Sequence, residues 1–371
     1  MAFKATPEQQ KAIETNGNIL VSAAAGSGKT AVLVERVIER LCSKTNAISA
    51  DRLLIVTFTN AAAAEMRSRI EKRLDEIILE NPDNIAFLMQ KHLLSAAKIC
   101  TIDSFCIDLV RENFEKVGIA PDFKVSDGAA LASAENKVIT AIINRYLEEE
   151  NPIFLELIDL IGAEFDESNF ADFVLGIYNY SRQLPFPKKW FCSLSSPYTK
   201  GFTNENIWWK YCFEIAVKTL SEVISSVQHA KELLYVSEKA SGSFLPSFSQ
   251  LIENLTKLLK TASENDWDAF YNALQNFNVS SLPTIRGVGY LFEISAAKDI
   301  YKSVSSKTLE RLKKLFYADR EFINTQFLKL SGPLELLTEI LIEFDESLFG
   351  EFTRINTYTY HNPEHHALSL L

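Results

Sequence analysis

Ala23-Ala24-Ala25-Gly26-Ser27-Gly28-Lys29-Thr30 is the stretch on which the reading of this chain turns. It has the G-x-x-x-x-G-K-[ST] pattern of a phosphate-binding loop, with Ala23 in place of the first glycine. Small residues let the backbone wrap around phosphate oxygens and aim several N–H groups inward. A helix beginning behind such a loop adds the positive end of its dipole. In that role Lys29 reaches the outer phosphates and the Thr30 hydroxyl binds Mg²⁺. The cofactor-binding set is therefore Ala23, Ala24, Ala25, Gly26, Ser27, Gly28, Lys29 and Thr30, with Lys29 and Thr30 as the residues closest to the chemistry and Thr30 as the metal ligand.

The flanks supply the context this motif needs. Upstream, Asn18-Ile19-Leu20-Val21-Ser22 is a short apolar run that reads as a buried strand, and Thr6 with Pro7 opens a helix reaching Glu14. Downstream, a helix is expected from Lys29 to Leu41, burying Val32, Leu33, Val37 and Leu41. Arg52 to Thr57 reads as a second buried strand, Asn60 to Leu79 as a long helix, and Lys98 to Thr101 as a third strand with a helix from Asp103. Strands alternating with helices imply an α/β fold with a parallel sheet covered on its faces. Past residue 127 the alternation ceases. Helical spacing then dominates Ala130–Glu149, Phe170–Arg182, Trp208–Leu234, Phe248–Thr261 and Thr308–Leu330. Breaks are expected at Pro185 and Pro187, Ser241-Gly242-Ser243, Gly287 and Gly289, and Gly332-Pro333. The reading is an α/β domain over 1–126, a helical domain over 127–350 and a return to the first domain over 351–371.

Composition narrows the possibilities. Of 371 residues, 47% are hydrophobic and 23% charged, ordinary for a globular protein, and there is no apolar run long enough to span a membrane. The segment Met1-Ala2-Phe3-Lys4-Ala5-Thr6 lacks a secretory apolar core, so the expected compartment is the cytoplasm. Cys42, Cys100, Cys106, Cys192 and Cys212 form no CxxC pair and read as reduced thiols. The net charge of −10 lies wholly in residues 126–371, with 22 basic against 32 acidic residues, since residues 1–125 carry 16 of each. Any nucleic-acid binding must then use local contacts and not a global positive field.

Two further segments have matching character. Thr57-Phe58-Thr59-Asn60-Ala61-Ala62-Ala63-Ala64-Glu65-Met66 follows the second strand, where open α/β sheets place ligand sites. An aromatic ring beside hydroxyl and amide groups can meet a base and its neighbouring phosphates. Thr101-Ile102-Asp103-Ser104-Phe105-Cys106 follows the third strand and offers hydroxyls and helix amides to a phosphate. Taken alone, each is also a capped helix start, with Asn60 and Asp103 as candidate N-caps.

In this order, behind this loop, the segments resemble the motifs of UvrD-like helicases. The resemblance makes Thr57, Phe58, Thr59, Asn60, Thr101, Ser104 and Phe105 DNA contacts. Thr6-Pro7-Glu8-Gln9-Gln10-Lys11-Ala12-Ile13 is similar to the family's opening Gln motif, with Gln9 in register to read an adenine edge; a solvated helix glutamine is the alternative. Ser22 to Arg36 and Tyr178 to Trp190 are similar to the family's AddA-type helicase–nucleases, and Thr357 to His365 resembles the stretch just before the family's acidic motif. The implied fold is a RecA-like P-loop domain, in part, with a large helical insert. The implied cofactors are ATP and Mg²⁺. The implied partners are single- and double-stranded DNA and an AddB-like protein, and the implied activity is ATP-driven movement, 3′→5′, in double-strand-break repair. The segment from Tyr178 to Trp190 also reads simply as a helix exit with a buried tryptophan.

Leu371 falls where the family continues into an Asp-Glu metal motif, so the chain reads as the N-terminal part of a longer motor. Ile340-Leu341-Ile342-Glu343-Phe344-Asp345-Glu346 imitates a strand ending in acids, yet Leu337, Ile340, Leu341, Phe344 and Leu348 fit one helix face. His361, His365 and His366 read as a solvated terminal segment, and Trp208-Trp209 as packing residues. Two rival readings are a small-molecule P-loop kinase or transferase, for which Phe58 and Ser104 would be idle, and a nucleotide-binding piece without turnover.

Overall fold

The computed structural model describes residues 5–24, 26–43, 47–161, 167–285 and 291–371. Ala25 of the loop, the glycines at Gly287 and Gly289, and the Met1–Lys4 part of the N-terminal segment lie outside them. The chain forms two compact units, Met1–Asn136 with Leu348–Leu371, and Lys137–Ser347.

In the first unit, α1 (Pro7–Glu14) starts with Thr6 as N-cap and α2 (Lys29–Cys42) follows Gly28. Then come β1 (Leu54–Thr57), α3 (Asn60–Glu80), α4 (Ile85–Leu93), β2 (Lys98–Thr101), α5 (Ile102–Glu112), α6 (Phe114–Val117) and β3 (Lys124–Val125). β1 and β2 are parallel, with Ile55 opposite Ile99 and Thr57 opposite Thr101. Ala63, Met66, Ile70 and Leu74 make a helical stripe on α3 that packs with Val34, Val37, Ile38 and Leu41 of α2 and with Ile55 and Ile99. Arg67 fastens α3 to the approach to β2, donating to the carbonyls of Leu94 at 2.8 Å and Ala97 at 2.9 Å. Near the end of the chain, β4 (Thr357–Tyr358) pairs parallel with β3, and α18 (His361–Leu370) packs on α5.

The second unit is helical. Its elements are α8 (Pro152–Ile161), α9 (Glu167–Ser181), α10 (Pro187–Leu194), α11 (Ser196–Thr199), α12 (Ile207–Leu233), α13 (Glu238–Ser263), α14 (Trp267–Gln275), α15 (Phe292–Ser303) and α16 (Glu310–Leu315), the last two joined by a π-helical turn at Val304–Leu309. α7 (Ala129–Glu148) leads in and α17 (Arg320–Ile355) leads out. Trp267 is the centre of the core: its ring lies 4.4 Å from Phe316 and 4.7 Å from Phe202, and its indole N–H donates to the Ala318 carbonyl at 2.9 Å. Among the described residues, no helix is long and apolar enough to cross a membrane.

Several expectations from sequence are overturned. Asn18 to Ser22 is not a strand: its backbone joins neither described sheet, and Leu20 is 97% exposed. An apolar run gains little as a strand unless neighbours pair its edges and cover its faces, and the described sheets are pairs of two strands only. For the same reason β1 is buried on one face alone, through Ile55, while Leu54 and Val56 stay exposed. On α2 it is Val34 and Ile38 that are buried, whereas Leu33 faces out. The N-caps are Thr59 and Thr101, one residue or two before Asn60 and Asp103.

Two expected breaks are absent as well. α13 runs through Ser241-Gly242-Ser243 and Pro246, because Ala240, Phe244, Phe248, Leu251, Leu255, Leu258 and Ala262 form one unbroken buried stripe. α17 runs through Gly332-Pro333, where burial of Leu336, Leu337, Ile340, Leu341, Phe344, Leu348 and Phe352 offsets the roughly 3 kcal/mol cost of an interior proline. Conversely, the helix expected over Thr308–Leu330 is interrupted after Leu315 and restarts at Arg320. Trp190 is half-buried against Tyr180 and Phe191, and of the tryptophan pair Trp209 is buried while Trp208 is partly exposed.

Candidate nucleotide and nucleic-acid site

Three helices in the first unit follow motif segments, and their N-termini are finished differently. At α3 the Thr59 hydroxyl accepts from the Ala62 amide at 3.2 Å. At α5 the Thr101 hydroxyl accepts from the Ser104 amide at 3.2 Å and lies 2.9 Å from the Ser104 hydroxyl. At α2 the residue in the cap position is Gly28, with φ +83°, and no side chain caps the helix. Amides at a helix start have no partner within the helix, so this end is left open to an anion.

The loop before it is glycine-bent and closed by its own hydrogen bonds. Gly26 and Gly28 both have φ near +80°, a region that side chains rarely adopt. A Cβ on Gly28 would also meet the Gln9 side-chain nitrogen at 3.3 Å. The Lys29 ammonium folds back over the loop and donates to the carbonyls of Ala23 at 2.6 Å and Ala24 at 2.8 Å. The Ser27 amide donates to the Ala24 carbonyl at 3.3 Å. Ala23, Ala24, Gly26, Ser27, Lys29 and Thr30 are exposed and Gly28 partly so. A cationic amine held on the loop's carbonyls, an uncapped helix start and a loop without bulky side chains are together the chemistry a polyphosphate would need.

Gln9 reaches this loop from α1. Its side-chain oxygen accepts from the Thr6 amide at 2.9 Å, while the Gln9 amide donates to the Thr6 hydroxyl at 3.3 Å, completing a capping box. Its side-chain nitrogen donates to the Ser27 carbonyl at 3.1 Å. Gln10 instead bonds Glu14 on the same helix.

The nucleic-acid candidates gather at one end of the β1–β2 pair, because Thr57 and Thr101 are register partners. The loop at Phe58-Thr59 and the first turn of α5 with Ser104 and Phe105 thus leave the sheet side by side. Phe58 is fully exposed, and Thr57 donates its hydroxyl to the Thr59 carbonyl at 2.9 Å, holding the turn that presents the ring. Ser104 and Phe105 are half-buried, and Asn60 is exposed in the first turn of α3. Thr30 shares a cavity with part of this group: Thr30, Val56, Thr57, Phe58, Thr59, Ala62, Glu65 and Met66 line one cavity of about 330 Å³.

Thr30 supplies one hydroxyl oxygen there, suited to a hard cation that takes most of its ligands from phosphate and water. Glu65, to which the sequence pattern assigns no role, lies in the same cavity but is paired with Arg69 at 2.5 Å. Among the described residues, no group of three His, Cys, Asp or Glu side chains could hold a metal alone. Arg36 and Arg40 are likewise unmarked in the sequence, because their i, i+4 spacing on α2 reads as an ordinary polar face.

The terminal segment is built around hydrogen bonds of its own. Asn362 accepts from the Thr359 amide at 3.0 Å and its hydroxyl at 2.7 Å, and His361 pairs with Glu364 at 3.3 Å. Burial raises the Cys106 thiol pKa, with Glu364 and Asp103 adding to it, so α5 presents no reactive thiolate toward α18.

The model of the UvrD/REP helicase N-terminal domain matches residues 5–307. The chain belongs to that family. Its relatives include proteins named as the A-type subunits of ATP-dependent helicase/nucleases. That of Lachnoclostridium phytofermentans is 32% identical over 373 residues, that of Acetivibrio thermocellus 31% over 376, and that of Clostridioides difficile 29% over 388. Each alignment covers 99% of this chain but only 27%, 30% and 30% of the respective relative, so the chain spans less than a third of their length. The family match includes the Gln9 segment, the loop, both strand-end segments and most of the helical unit.

Proposed function

We propose that this chain is the nucleotide-binding and first DNA-contacting part of an ATP-dependent DNA helicase of the helicase–nuclease type. The observation that carries the reading is the uncapped start of α2 behind a loop whose carbonyls hold the Lys29 ammonium, with Thr30 lining the same cavity as Phe58 and Thr59. β1 and β2, following the loop, are read as strands of a RecA-like sheet, with residues 1–126 and 351–371 in that domain and 127–350 as its helical insert. Loop amides, Lys29 and the helix dipole hold the phosphates, and Thr30 offers its oxygen to Mg²⁺. Bound Mg·ATP supplies the energy of phosphate release.

Gln9 suits adenine. A side-chain amide has two N–H donors and an oxygen with two lone pairs. The bonds to Thr6 and Ser27 take one of each, leaving one donor and one acceptor. Adenine presents a matching acceptor and donor on its edge, whereas guanine presents two acceptors there. Phe58 is the stacking platform for a base, and Thr57, Thr59, Asn60, Thr101, Ser104 and Phe105 frame the strand's path. By family resemblance, the whole protein works with a second, AddB-like protein, moves 3′→5′ on single-stranded DNA, processes double-strand breaks for homologous recombination, and acts in the cytoplasm. A small-molecule kinase is disfavoured because it gives no use to the exposed Phe58 beside Thr30.

Binding of a fluorescent ATP analogue with Mg²⁺ to the 371-residue chain tests the cradle. Lys29→Ala should weaken it ~10–100-fold, as expected for losing charge-assisted bonds of about 1.5–3 kcal/mol. Unchanged affinity would overturn the assignment. Phe58→Ala should weaken oligo-dT binding ~10-fold or more, in line with ~1–3 kcal/mol per stacked base, without touching ATP affinity.

A further inference from the structure

We infer that Arg36 is a positioning residue for base recognition: it locks the helix carrying Gln9 to the helix carrying Lys29 and Thr30, and so sets the spacing between base reader and phosphate cradle. The inference rests on the nucleotide-binding reading above and adds to it a residue with no contact to the nucleotide.

α1 has eight residues and a single buried side chain, Ile13. Helices shorter than about 12 residues are marginal in water, so tertiary contacts must hold this one in place. They do so at both ends. At the N-terminus, Gln9 donates to the Ser27 carbonyl. At the C-terminus, the Arg36 guanidinium donates to the carbonyls of Ala12 at 2.7 Å, Ile13 at 3.3 Å, Thr15 at 2.8 Å and Gly17 at 3.4 Å. Arg40 adds a bond to the Thr15 carbonyl at 2.9 Å and one to the Asn16 side chain. The Ala12 and Ile13 carbonyls are among those α1 leaves unpaired in its last turn, Thr15 is its C-cap and Gly17 lies in the segment that follows, and a cation there also meets the negative end of the dipole.

Arg36 lies two turns beyond Lys29 on α2, about 10 Å along the axis. One rigid helix therefore carries the phosphate ligands at its start and the grip on α1 further along. Nothing else in the described residues fixes the end of α1 with so many bonds. The fan of N–H groups on a guanidinium can satisfy several carbonyls at once, which a lysine ammonium cannot do in the same plane. The Arg36 pKa is lowered, by burial first and by Arg40 second, so two cations are held close together for this grip.

A purely structural role and a positioning role differ in what they do to base selectivity. The test measures affinities of fluorescent ATP and GTP analogues for the 371-residue chain and for its Gln9→Ala, Arg36→Ala, Gln9→Ala/Arg36→Ala and Arg67→Ala variants. Arg67 also grips two carbonyls in this unit, but far along the sequence from α1, and serves as the structural comparator. Arg36→Ala should weaken ATP ~10-fold, GTP less than about 2-fold, and reduce the ATP:GTP ratio to that of Gln9→Ala, with the double variant no worse than either single. Arg67→Ala should lower thermal stability and leave the ratio alone. Equal losses for both nucleotides in Arg36→Ala, or additive effects in the double variant, would overturn the inference. If Arg36→Ala does not fold, Arg40→Ala decides, expected to give the same selective loss at smaller size; an unchanged ratio would overturn it. If the unaltered chain binds neither nucleotide, the phosphate-cradle reading fails first, by a separate measurement.

Discussion

The loop and sheet of the first unit and the aromatic core of the second use the same kinds of residue and treat them oppositely. Leu20, Val21, Leu54 and Val56 stand in solvent, whereas Phe213, Trp267, Phe270 and Phe316 are almost wholly buried. The difference follows from what each element needs. A strand must find partners on both edges and cover on both faces, and these come from distant parts of a chain. A helix satisfies its own backbone and has one face to cover, which neighbours a few dozen residues away can supply. Hence the helical unit closes on itself, while among the described residues each of the two sheets in the first unit remains two strands wide.

The most severe way to break this contrast is Trp267→Ala. The residue loses ring contacts with Phe202, Trp209, Phe213 and Phe316 and the bond to the Ala318 carbonyl. Large-to-small changes of this kind cost about 3–5 kcal/mol. Calorimetric melting of the chain should show the loss confined to one transition. Leu20→Ser, on a residue equally apolar in sequence, should change stability by less than about 0.5 kcal/mol. A large effect of Leu20→Ser would show that the run Asn18–Ser22 is buried after all.

Sequence patterns reveal these features unevenly, for physical reasons. The loop is legible because its conformation is local: Gly26 and Gly28 adopt the left-handed backbone that the motif itself demands, and the Lys29 ammonium lies on the loop's own carbonyls. The face Leu337, Ile340, Leu341, Phe344 and Leu348 is legible because helical periodicity is a property of adjacent turns. Pro333 and Gly242 mislead because local propensity yields to a continuous buried stripe. Asn18 to Ser22 misleads because strand formation depends on partners that a short run cannot name. Arg36 is invisible because nothing in its spacing tells a solvated arginine from one gripping another helix's end. The cavity joining Thr30 to Thr57 and Phe58 depends on strand register, which only the fold supplies.

A smaller effect separates the capped helix starts from the open one. Thr101→Ala removes the acceptor for the Ser104 amide and should cost about 1 kcal/mol, with Thr101→Ser recovering most of it. Hydrogen exchange at the start of α5 should quicken accordingly. Gly28→Ala removes no cap, since Gly28 provides none, and its cost should instead come from the left-handed backbone and the 3.3 Å approach to Gln9. If Thr101→Ala left exchange at Ser104 unchanged, the hydroxyl would not be the cap.

Acid should distinguish the two units most gently. His366 sits half-buried on α18, its ring 5.5 Å from that of Phe349, and its pKa is lowered from 6.5 by burial first and by His365 second. The sign follows from linkage. Between 6.5 and the lower folded value the unfolded chain binds the proton that the folded chain refuses, so unfolding takes up protons and stability falls as pH falls. The contribution is fully present above pH 6.5 and disappears as pH drops through the folded value. Protection of the α18 and β4 amides against exchange, measured relative to their intrinsic rates, should therefore fall as pH drops below 6.5 by more than that of the α12 and α13 amides. Replacing the ring by one that cannot charge, His366→Phe, keeps an aromatic contact with Phe349 and should remove that extra acid sensitivity. If the variant retained all of it, the carboxylates around α18 would be responsible, and His366 would be only a packing residue.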